Sequence, residues 1–145
     1  MRKAAKATIL ILLLIAPALA QKSARFDPDG SFWLIGDPPP EFSEFSAINL
    51  NAKRLRRLPS AGLQLNDGTT YRFRTLNVKR NDFKFATVTR GGVSYSFSGR
   101  FLRGGVYAEM DLDDTAPILE GTLTKFRGGK KIAEAELKFS YFGGT

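Results

Sequence analysis

From residue 62 onward the chain alternates apolar and polar residues, and the alternating stretches end at short turn-forming dipeptides. Residues 93–101 show the pattern most clearly, because apolar residues at 93, 95 and 97 alternate with serines at 94, 96 and 98. Residues 133–141 repeat the pattern with mainly charged residues at the polar positions. Successive side chains of a strand point to opposite faces of a sheet. The alternation therefore predicts strands with one apolar face and one polar face.

The dipeptides between these stretches predict tight connections. They are Asp67-Gly68, Asn81-Asp82, Gly91-Gly92, Gly104-Gly105 and Gly128-Gly129. Asp-Gly and Gly-Gly pairs supply the positive φ that two-residue hairpin turns require, and short connections make neighbouring strands antiparallel. We therefore predict an all-β fold, a single antiparallel meander of roughly seven to nine strands that closes as a β-barrel or folds as a β-sandwich, because the apolar face must be buried.

Two irregularities interrupt the alternation. The apolar parity changes between Phe73 and Leu76. A shift of one residue moves every following side chain to the other face, so we expect a β-bulge near Thr75. Gly99 and Gly121 lie inside predicted strands, where glycine indicates strong curvature or a close backbone approach.

Residues 1–20 have the three parts of a secretory signal peptide. The basic residues at its start are Arg2, Lys3 and Lys6. An apolar stretch at 7–16 follows, and Ala18-Leu19-Ala20 supplies the small residues of a cleavage site. The apolar stretch is shorter than the roughly 18 residues that span a membrane. We expect cleavage after Ala20 and export of a single all-β domain, residues 21–145, to the periplasm or the medium, with no transmembrane helix in the mature chain.

The chain contains no cysteine and no histidine. These absences exclude a disulfide framework, a thiolate metal site, a cysteine nucleophile and a histidine acting as general base or ligand. The sequence also has no Ser-x-x-Lys motif, phosphate loop or dinucleotide fingerprint. Glu134 and Glu136 would lie about 7 Å apart on one strand face, as on any solvated strand. We therefore expect no enzymatic activity, no cofactor and no metal.

The mature chain is moderately basic, with 19 basic and 14 acidic residues and a net charge of +5 after the signal peptide is removed. The densest basic run contains Lys53, Arg54, Arg56 and Arg57. Such a run predicts contact with an anionic envelope surface, for example lipid headgroups or polysaccharide. The alternative interpretation is a solvated loop, because neither helical nor strand spacing separates its charges from its leucines.

Two other charged motifs have structural interpretations. Arg-Gly-Gly triplets begin at Arg90, Arg103 and Arg127. Because each lies between predicted strands, they indicate hairpin turns and no nucleic-acid partner. The acidic run 109–114 does not match a calcium-binding loop, which needs glycine at its sixth position and glutamate at its twelfth. As a strand, this run would place Glu109, Asp111 and Asp113 on one solvated face.

The aromatic residues supply the second candidate site. Four of them lie on the predicted apolar faces: Phe73, Phe85, Phe97 and Phe139. They are predicted either to fill the core or to line a cavity for a hydrophobic small molecule. A barrel with such a cavity resembles carriers of the lipocalin type in general shape only, because no diagnostic motif of that group is present.

These observations predict an exported, non-catalytic β-domain that acts as a binding or structural protein of the cell envelope or medium, with an unidentified ligand. A small barrel that carries a hydrophobic ligand is one alternative. A small outer-membrane β-barrel is another, because stretches such as 93–102 are long enough to cross a bilayer as tilted strands.

Overall fold

The computed structural model describes residues 25–50 and 61–143. Within these ranges eight strands form a closed antiparallel barrel, in which each strand pairs with its neighbours in sequence and the last pairs with the first. The strands are β1 Gly30–Leu34, β2 Phe45–Leu50, β3 Gly62–Leu65, β4 Thr70–Lys79, β5 Asp82–Thr87, β6 Val93–Phe101, β7 Leu119–Arg127 and β8 Lys130–Phe142. The predicted all-β antiparallel meander is confirmed, and it closes as a barrel.

Two 3-10 helices lie in the connections, at Pro40–Phe42 and Tyr107–Glu109. In the described part of the chain, no helix has the length and apolar character needed to span a bilayer. The predicted signal peptide at residues 1–20 and the basic run at 53–57 lie outside the described residues.

Two of the predicted hairpin turns are confirmed by their backbone angles. Gly91 and Gly92 have φ of 57° and 76°, and Gly128 and Gly129 have φ of 57° and 79°. These positive values match the turn type whose twist fits antiparallel strands. Arg90 exchanges two backbone hydrogen bonds with the residue after the first Gly-Gly pair, so this Arg-Gly-Gly triplet forms a hairpin turn.

Two other turn predictions need correction. The β4–β5 turn lies one residue earlier than predicted, at Arg80-Asn81, because Lys79 pairs with Asp82. Gly104-Gly105 lies in the long connection between β6 and β7 and forms no hairpin. The backbone NH of Asp27 donates instead to the carbonyl of Gly105, at 2.9 Å. This hydrogen bond holds the connection across one end of the barrel.

The β-bulge predicted near Thr75 is confirmed. Phe73 pairs with Thr87 and Thr75 pairs with Ala86, so Arg74 is the extra residue on β4. The extra residue moves the side chains that follow it to the opposite face of the sheet.

The interior of the barrel is filled by aromatic rings that contact one another. Phe83 is completely buried, and its ring centroid lies 5.6 Å from those of Phe85 and Phe97 and 5.2 Å from that of Phe101. Ring pairs at such separations add about 0.5–1.5 kcal/mol to the stabilisation from burial itself. The apolar faces of the eight strands thus form one continuous core.

The two barrel ends are closed by different segments. At one end, the helix Pro40–Phe42 places the buried ring of Phe42 under the strands. At the other end, Tyr107 is buried and donates its hydroxyl to the carbonyl of Arg103 at 2.6 Å. The acidic run 109–114 lies in this second connection and is not a strand. At the end of this run the NH of Thr115 donates to Asp113 Oδ1 at 2.8 Å, which forms a local turn.

Candidate functional site

The most distinctive backbone feature of the barrel is a pair of glycines facing each other across β6 and β7. Gly99 pairs with Gly121. A Cβ on Gly99 would lie 2.2 Å from the carbonyl oxygen of Glu120, and a Cβ on Gly121 would lie 2.5 Å from the Cα of Gly99. The ring of Phe97 covers both positions, at 2.7 Å from either Cβ. The predicted close backbone approach is confirmed, and no side chain fits at either position without displacement.

Over this pair of glycines the outer surface of the barrel forms a depression of about 390 Å³, which we name the outer trough. Its side chains form two rows that run across the strands in register. The first row, the charged row, consists of Asp82, Arg100 and Glu120. The second row, the mixed row, consists of Lys84, Ser98, Thr122 and Glu136. The backbone of the glycine pair lies between the rows.

The dimensions of the outer trough follow from sheet geometry. The rows are two residues apart on each strand, or about 7 Å along the strand direction. The mixed row crosses four strands, and three interstrand spacings make it about 14 Å long. The trough is therefore elongated across the strands.

Hydrogen bonds hold several of these side chains in place. Arg100 donates from Nε and Nη2 to Glu120 Oε1, at 3.0 and 2.8 Å. Thr122 donates its hydroxyl to Glu136. The trough combines three carboxylates with two cationic side chains and two hydroxyls, so its formal charge is −1. Such a surface can donate to and accept from a polar ligand without attracting a strongly charged one.

A pair of exposed aromatic residues lies beside the trough. Trp33 on β1 is 49% exposed and Phe142 on β8 is 45% exposed. Their ring centroids are 5.4 Å apart. Trp33 pairs with Ser140, which lies two residues beyond Lys138, the partner of Glu120. We name Trp33 and Phe142 the aromatic pair. Trp33 lies two strands from Glu120, the end of the charged row, and is offset from it by two residues along the strands.

Polar side chains border the aromatic pair on the N-terminal strands. Ser31 donates its hydroxyl to Asn49 Oδ1 at 2.7 Å, and Asn49 Nδ2 donates to Gln64 Oε1 at 2.9 Å. Ser31 is the cross-strand partner of Phe142. The aromatic pair is thus next to a ladder of hydroxyl and amide groups.

The structure brings the four sequence-predicted lining residues together inside the barrel. Phe85, Phe97 and Phe139 are buried and Phe73 is partly buried. Ring centroids are 4.7 Å apart for Phe73–Phe85, 5.6 Å for Phe85–Phe97 and 5.8 Å for Phe97–Phe139. Each ring packs directly on the next. Their role as walls of a ligand cavity stays a prediction.

The sequence interpretation missed a polar cluster at the end closed by residues 40–42. Glu44 accepts hydrogen bonds from Lys125 Nζ and, at 2.9 Å, from the hydroxyl of Tyr95. The ammonium of Lys125 also lies 6.0 Å from the ring centroid of Tyr95. The signal in the sequence was a lysine at an inward position of β7, two residues after the buried Leu123.

Two opposing effects determine the ionisation of this cluster. Burial acts to raise the pKa of Glu44, but the hydrogen bond from Lys125, together with those from the backbone and Tyr95, outweighs it and lowers the pKa. Burial, followed by the hydrogen bond to Glu44, raises the pKa of Tyr95. Glu44 is therefore held as a carboxylate and Tyr95 as a neutral donor, an arrangement that closes the barrel end.

A second depression, of about 300 Å³, lies at the barrel end near residues 107–109. Phe26, Leu50 and Val78 supply apolar surface, and Arg25 and Arg80 also line it. Lys53, Arg54, Arg56 and Arg57, the predicted contact with an anionic surface, follow Leu50 in the chain and lie outside the described residues.

The described residues include no group of three or more His, Cys, Asp or Glu side chains arranged to hold a metal ion. No protein-family model, curated protein or solved structure matches this chain. The class defined by the structure is thus that of an eight-stranded antiparallel β-barrel with an aromatic interior and a polar trough on its outside.

Proposed function

We propose that this chain is an exported, non-catalytic binding protein that recognises its ligand on the outside of the barrel, at the outer trough. The observation that supports this most directly is the contrast between inside and outside. Inside, aromatic rings pack on one another. Outside, hydrogen-bonding groups surround a recess whose floor is bare backbone. Ligand sites are concave and combine a few placed polar groups with a preformed shape.

The preformed shape of the trough supports the proposal further. Gly99 and Gly121 line the trough with their backbone, and a side chain at either position would point inward to Phe97. The floor of the trough therefore consists of backbone and does not depend on movable side chains. The ion pair between Arg100 and Glu120 restrains one wall. A site on rigid strands loses little conformational freedom when a ligand binds.

The two alternative functions have weaker support. A carrier of a hydrophobic molecule needs space for its ligand inside the barrel. Part of that interior is occupied by the rings of Phe85 and Phe97, whose centroids are 5.6 Å apart. An outer-membrane barrel needs an apolar outward band, and a cationic residue at the bilayer midplane costs about 2–4 kcal/mol there. The outward positions of the middle strands instead include Arg100, Glu120 and Lys138.

Export is the first part of the proposal to test. The protein should be expressed with its native N-terminus in a Gram-negative host, and the periplasmic and medium fractions should be analysed by intact-mass spectrometry. The expected mass is that of a chain beginning at Gln21. Retention of residues 1–20 on the membrane-bound protein would contradict the proposal.

Binding at the outer trough is the second part. The charge-neutral double variant Lys84→Ala/Glu136→Ala removes two trough side chains. The matched control Lys79→Ala/Glu109→Ala removes the same two residue types from exposed positions elsewhere. Retention of each protein on a washed envelope fraction of the source cells should fall about tenfold for the trough variant, as expected for loss of one to two charge-assisted hydrogen bonds, and stay unchanged for the control.

Three results of this experiment would contradict the proposal. Equal losses for both variants would indicate nonspecific attachment through overall charge. Unchanged retention of the trough variant would place the contact elsewhere. A hydrophobic molecule that co-purifies in native mass spectra, with no effect of either variant, would favour the carrier alternative.

A further inference from the structure

Building on the proposed outer-surface function, we propose that the outer trough and the aromatic pair form one extended binding site for a linear oligosaccharide of neutral sugar units. The site would run across the strands, from the mixed and charged rows on β5–β8 to Trp33 on β1. The inference depends on three properties of the described surface: its hydrogen-bonding chemistry, its continuity and its exposed rings.

The hydrogen-bonding chemistry of the trough matches a ligand that is rich in hydroxyl groups. A sugar hydroxyl both donates and accepts, so it can bond to carboxylates such as Glu136, to cations such as Lys84 and to hydroxyls such as Ser98 and Thr122. Hydrogen bonds between a neutral hydroxyl and a charged side chain are stronger than those between neutral groups. The charged row alternates in sign, with Arg100 between Asp82 and Glu120, and the mixed row has one cation and one carboxylate at its two ends. A polyanion would therefore meet three carboxylates in the trough as well as its two cations.

The strand register makes the trough and the aromatic pair neighbours. Glu120 in the charged row pairs with Lys138 on β8, and β8 pairs with β1 beside Trp33. Continued across β8 and β1, the charged row passes Lys138 and then Ile35, whose NH donates to the carbonyl of Lys138. Trp33 on β1 lies two residues from Ile35. Trp33 is thus two interstrand spacings, about 10 Å, from Glu120 across the strands and about 7 Å from it along them, a span that a short chain of sugars can cover.

The exposed rings supply the apolar part of a sugar site. One face of a pyranose ring presents C–H groups, which pack on an aromatic face while the hydroxyls around the edge stay available for hydrogen bonds. Trp33 and Phe142 are in contact and each about half exposed, so they form a contiguous apolar patch, the kind of surface on which interaction sites are found. Of the polar residues beside them, Asn49 and Ser140 are buried and Ser31 is partly exposed. Ser31 therefore supplies the hydroxyl next to the rings that a ligand with both apolar and hydroxyl surfaces can contact.

The same rings allow a direct measurement, because Trp33 is the single tryptophan of the chain. Its fluorescence reports only on the aromatic pair. We would titrate the mature protein with cellohexaose, maltohexaose and chitohexaose, three neutral linear oligosaccharides that differ in linkage and substituents. We expect at least one of them to shift the emission of Trp33 and to reduce its quenching by acrylamide. Isothermal titration calorimetry then gives the affinity independently of the probe.

Variants test whether the two parts form one site. Trp33→Ala and Lys84→Ala/Glu136→Ala should each weaken the oligosaccharide by about tenfold in calorimetry, which corresponds to about 1.4 kcal/mol. Leu102→Ala, which removes an exposed apolar side chain outside the site, should leave the affinity unchanged. Circular dichroism and melting curves for each variant establish that the barrel is folded.

Three results would contradict the proposal, and each contradicts a different part of it. No heat and no fluorescence change with any of the three hexasaccharides at millimolar concentration would exclude the sugar class, while loss of envelope retention in the Lys84→Ala/Glu136→Ala variant would still support the outer trough as a binding site. Oligosaccharide binding that survives this double variant would separate the aromatic pair from the trough. A response of Trp33 to phosphatidylglycerol–phosphatidylethanolamine vesicles, without a response to sugars, would identify a lipid surface as the partner.

Discussion

The strands of two neighbouring regions of the barrel, which meet where β8 pairs with β1, are held in different ways. The long-strand region, β6–β8, has strands of 9, 9 and 13 residues, and β6 and β7 pair without a break from Val93–Arg127 to Phe101–Leu119. The short-strand region, β1–β3, has strands of 5, 6 and 4 residues. Long backbone ladders hold the first region in register, whereas the second depends more on buried side chains and on the ladder that joins Ser31, Asn49 and Gln64.

This comparison explains where the candidate site lies. Rows of side chains in register require several long strands that pair regularly. The Gly99–Gly121 pair lets β6 and β7 approach each other closely beneath the trough. The long-strand region has both features. In the short-strand region, the outward side chains of Ser31, Asn49 and Gln64 hydrogen-bond to one another. Trp33 instead extends outward from β1, which is anchored by the buried ring of Phe32.

The largest expected effect tests how β1 is held. Phe32 is fully buried and its ring contacts Phe101, Tyr107 and Tyr141, so Phe32→Ala should lower the free energy of unfolding by about 3–5 kcal/mol. Urea denaturation of the wild type and the variant measures this loss of stability. The adjacent Trp33 faces outward, and Trp33→Ala should cost less than about 1 kcal/mol. Similar losses for both would mean that the inward and outward faces of β1 are assigned wrongly.

The next effect concerns the glycine pair of the long-strand region. Gly121→Ala would bring a methyl group to 2.5 Å from the Cα of Gly99 and the carbonyl oxygen of Ser98. We expect a loss of about 1–3 kcal/mol on thermal or urea unfolding, because the backbone must move to relieve the overlap. Gly104→Ala is the control, since nothing lies within 4 Å of its added Cβ. A neutral Gly121→Ala would contradict the close approach of β6 and β7.

A smaller effect tests the cluster that links the two regions at one barrel end. Glu44 precedes β2 and bonds to Lys125 on β7, so Glu44→Gln should destabilise the protein by about 1–2 kcal/mol at neutral pH. Because the folded-state pKa of Glu44 lies below its ordinary value of 4.5, the carboxylate stabilises the fold above that value. The stabilisation is lost as the pH falls through the lowered pKa.

Urea denaturation of both proteins between neutral and acidic pH measures this dependence. The difference in stability between wild type and Glu44→Gln should shrink below about pH 4.5. A difference that stays constant down to the acid limit would show that the charge of Glu44 contributes nothing.

The smallest effect concerns one wall of the outer trough. A double-mutant cycle with Arg100→Ala and Glu120→Ala should give a coupling energy of about 0.2–1 kcal/mol, as for other solvent-exposed ion pairs. The exposed pair Lys131–Glu134, with a distance of 3.4 Å, provides a reference with a single and longer contact. A coupling no larger than that of the reference pair would mean that the wall is not held by this ion pair.

Local features were predictable from the sequence where a short-range rule governs them. The Gly-Gly hairpin turns follow from the positive φ that only glycine adopts readily, and the bulge near Thr75 follows from the change of apolar parity. The turn at Arg80-Asn81 was displaced by one residue, because arginine adopts a φ of 55° there and the pairing of the flanking strands determines the position.

The candidate site was less accessible to sequence reasoning. Glu120, Arg100 and Asp82 are far apart in the chain and become one row only through the register of three strands. Glu44 and Lys125 meet across 81 residues, and alternation alone carries no information on such pairs. The glycines were noticed individually, but their pairing with each other was not.

The amino-acid order alone determined that this chain forms antiparallel strands with an aromatic side and a polar side, because alternation and turn chemistry act between near neighbours. Only the tertiary structure decided that the sheet closes on itself, since β1 and β8 must pair across the whole domain, as the hydrogen bond from the Tyr141 hydroxyl to the Asp29 carbonyl at 2.9 Å illustrates. Closure also decided which polar residues became neighbours, because register between strands is a property of the assembled sheet.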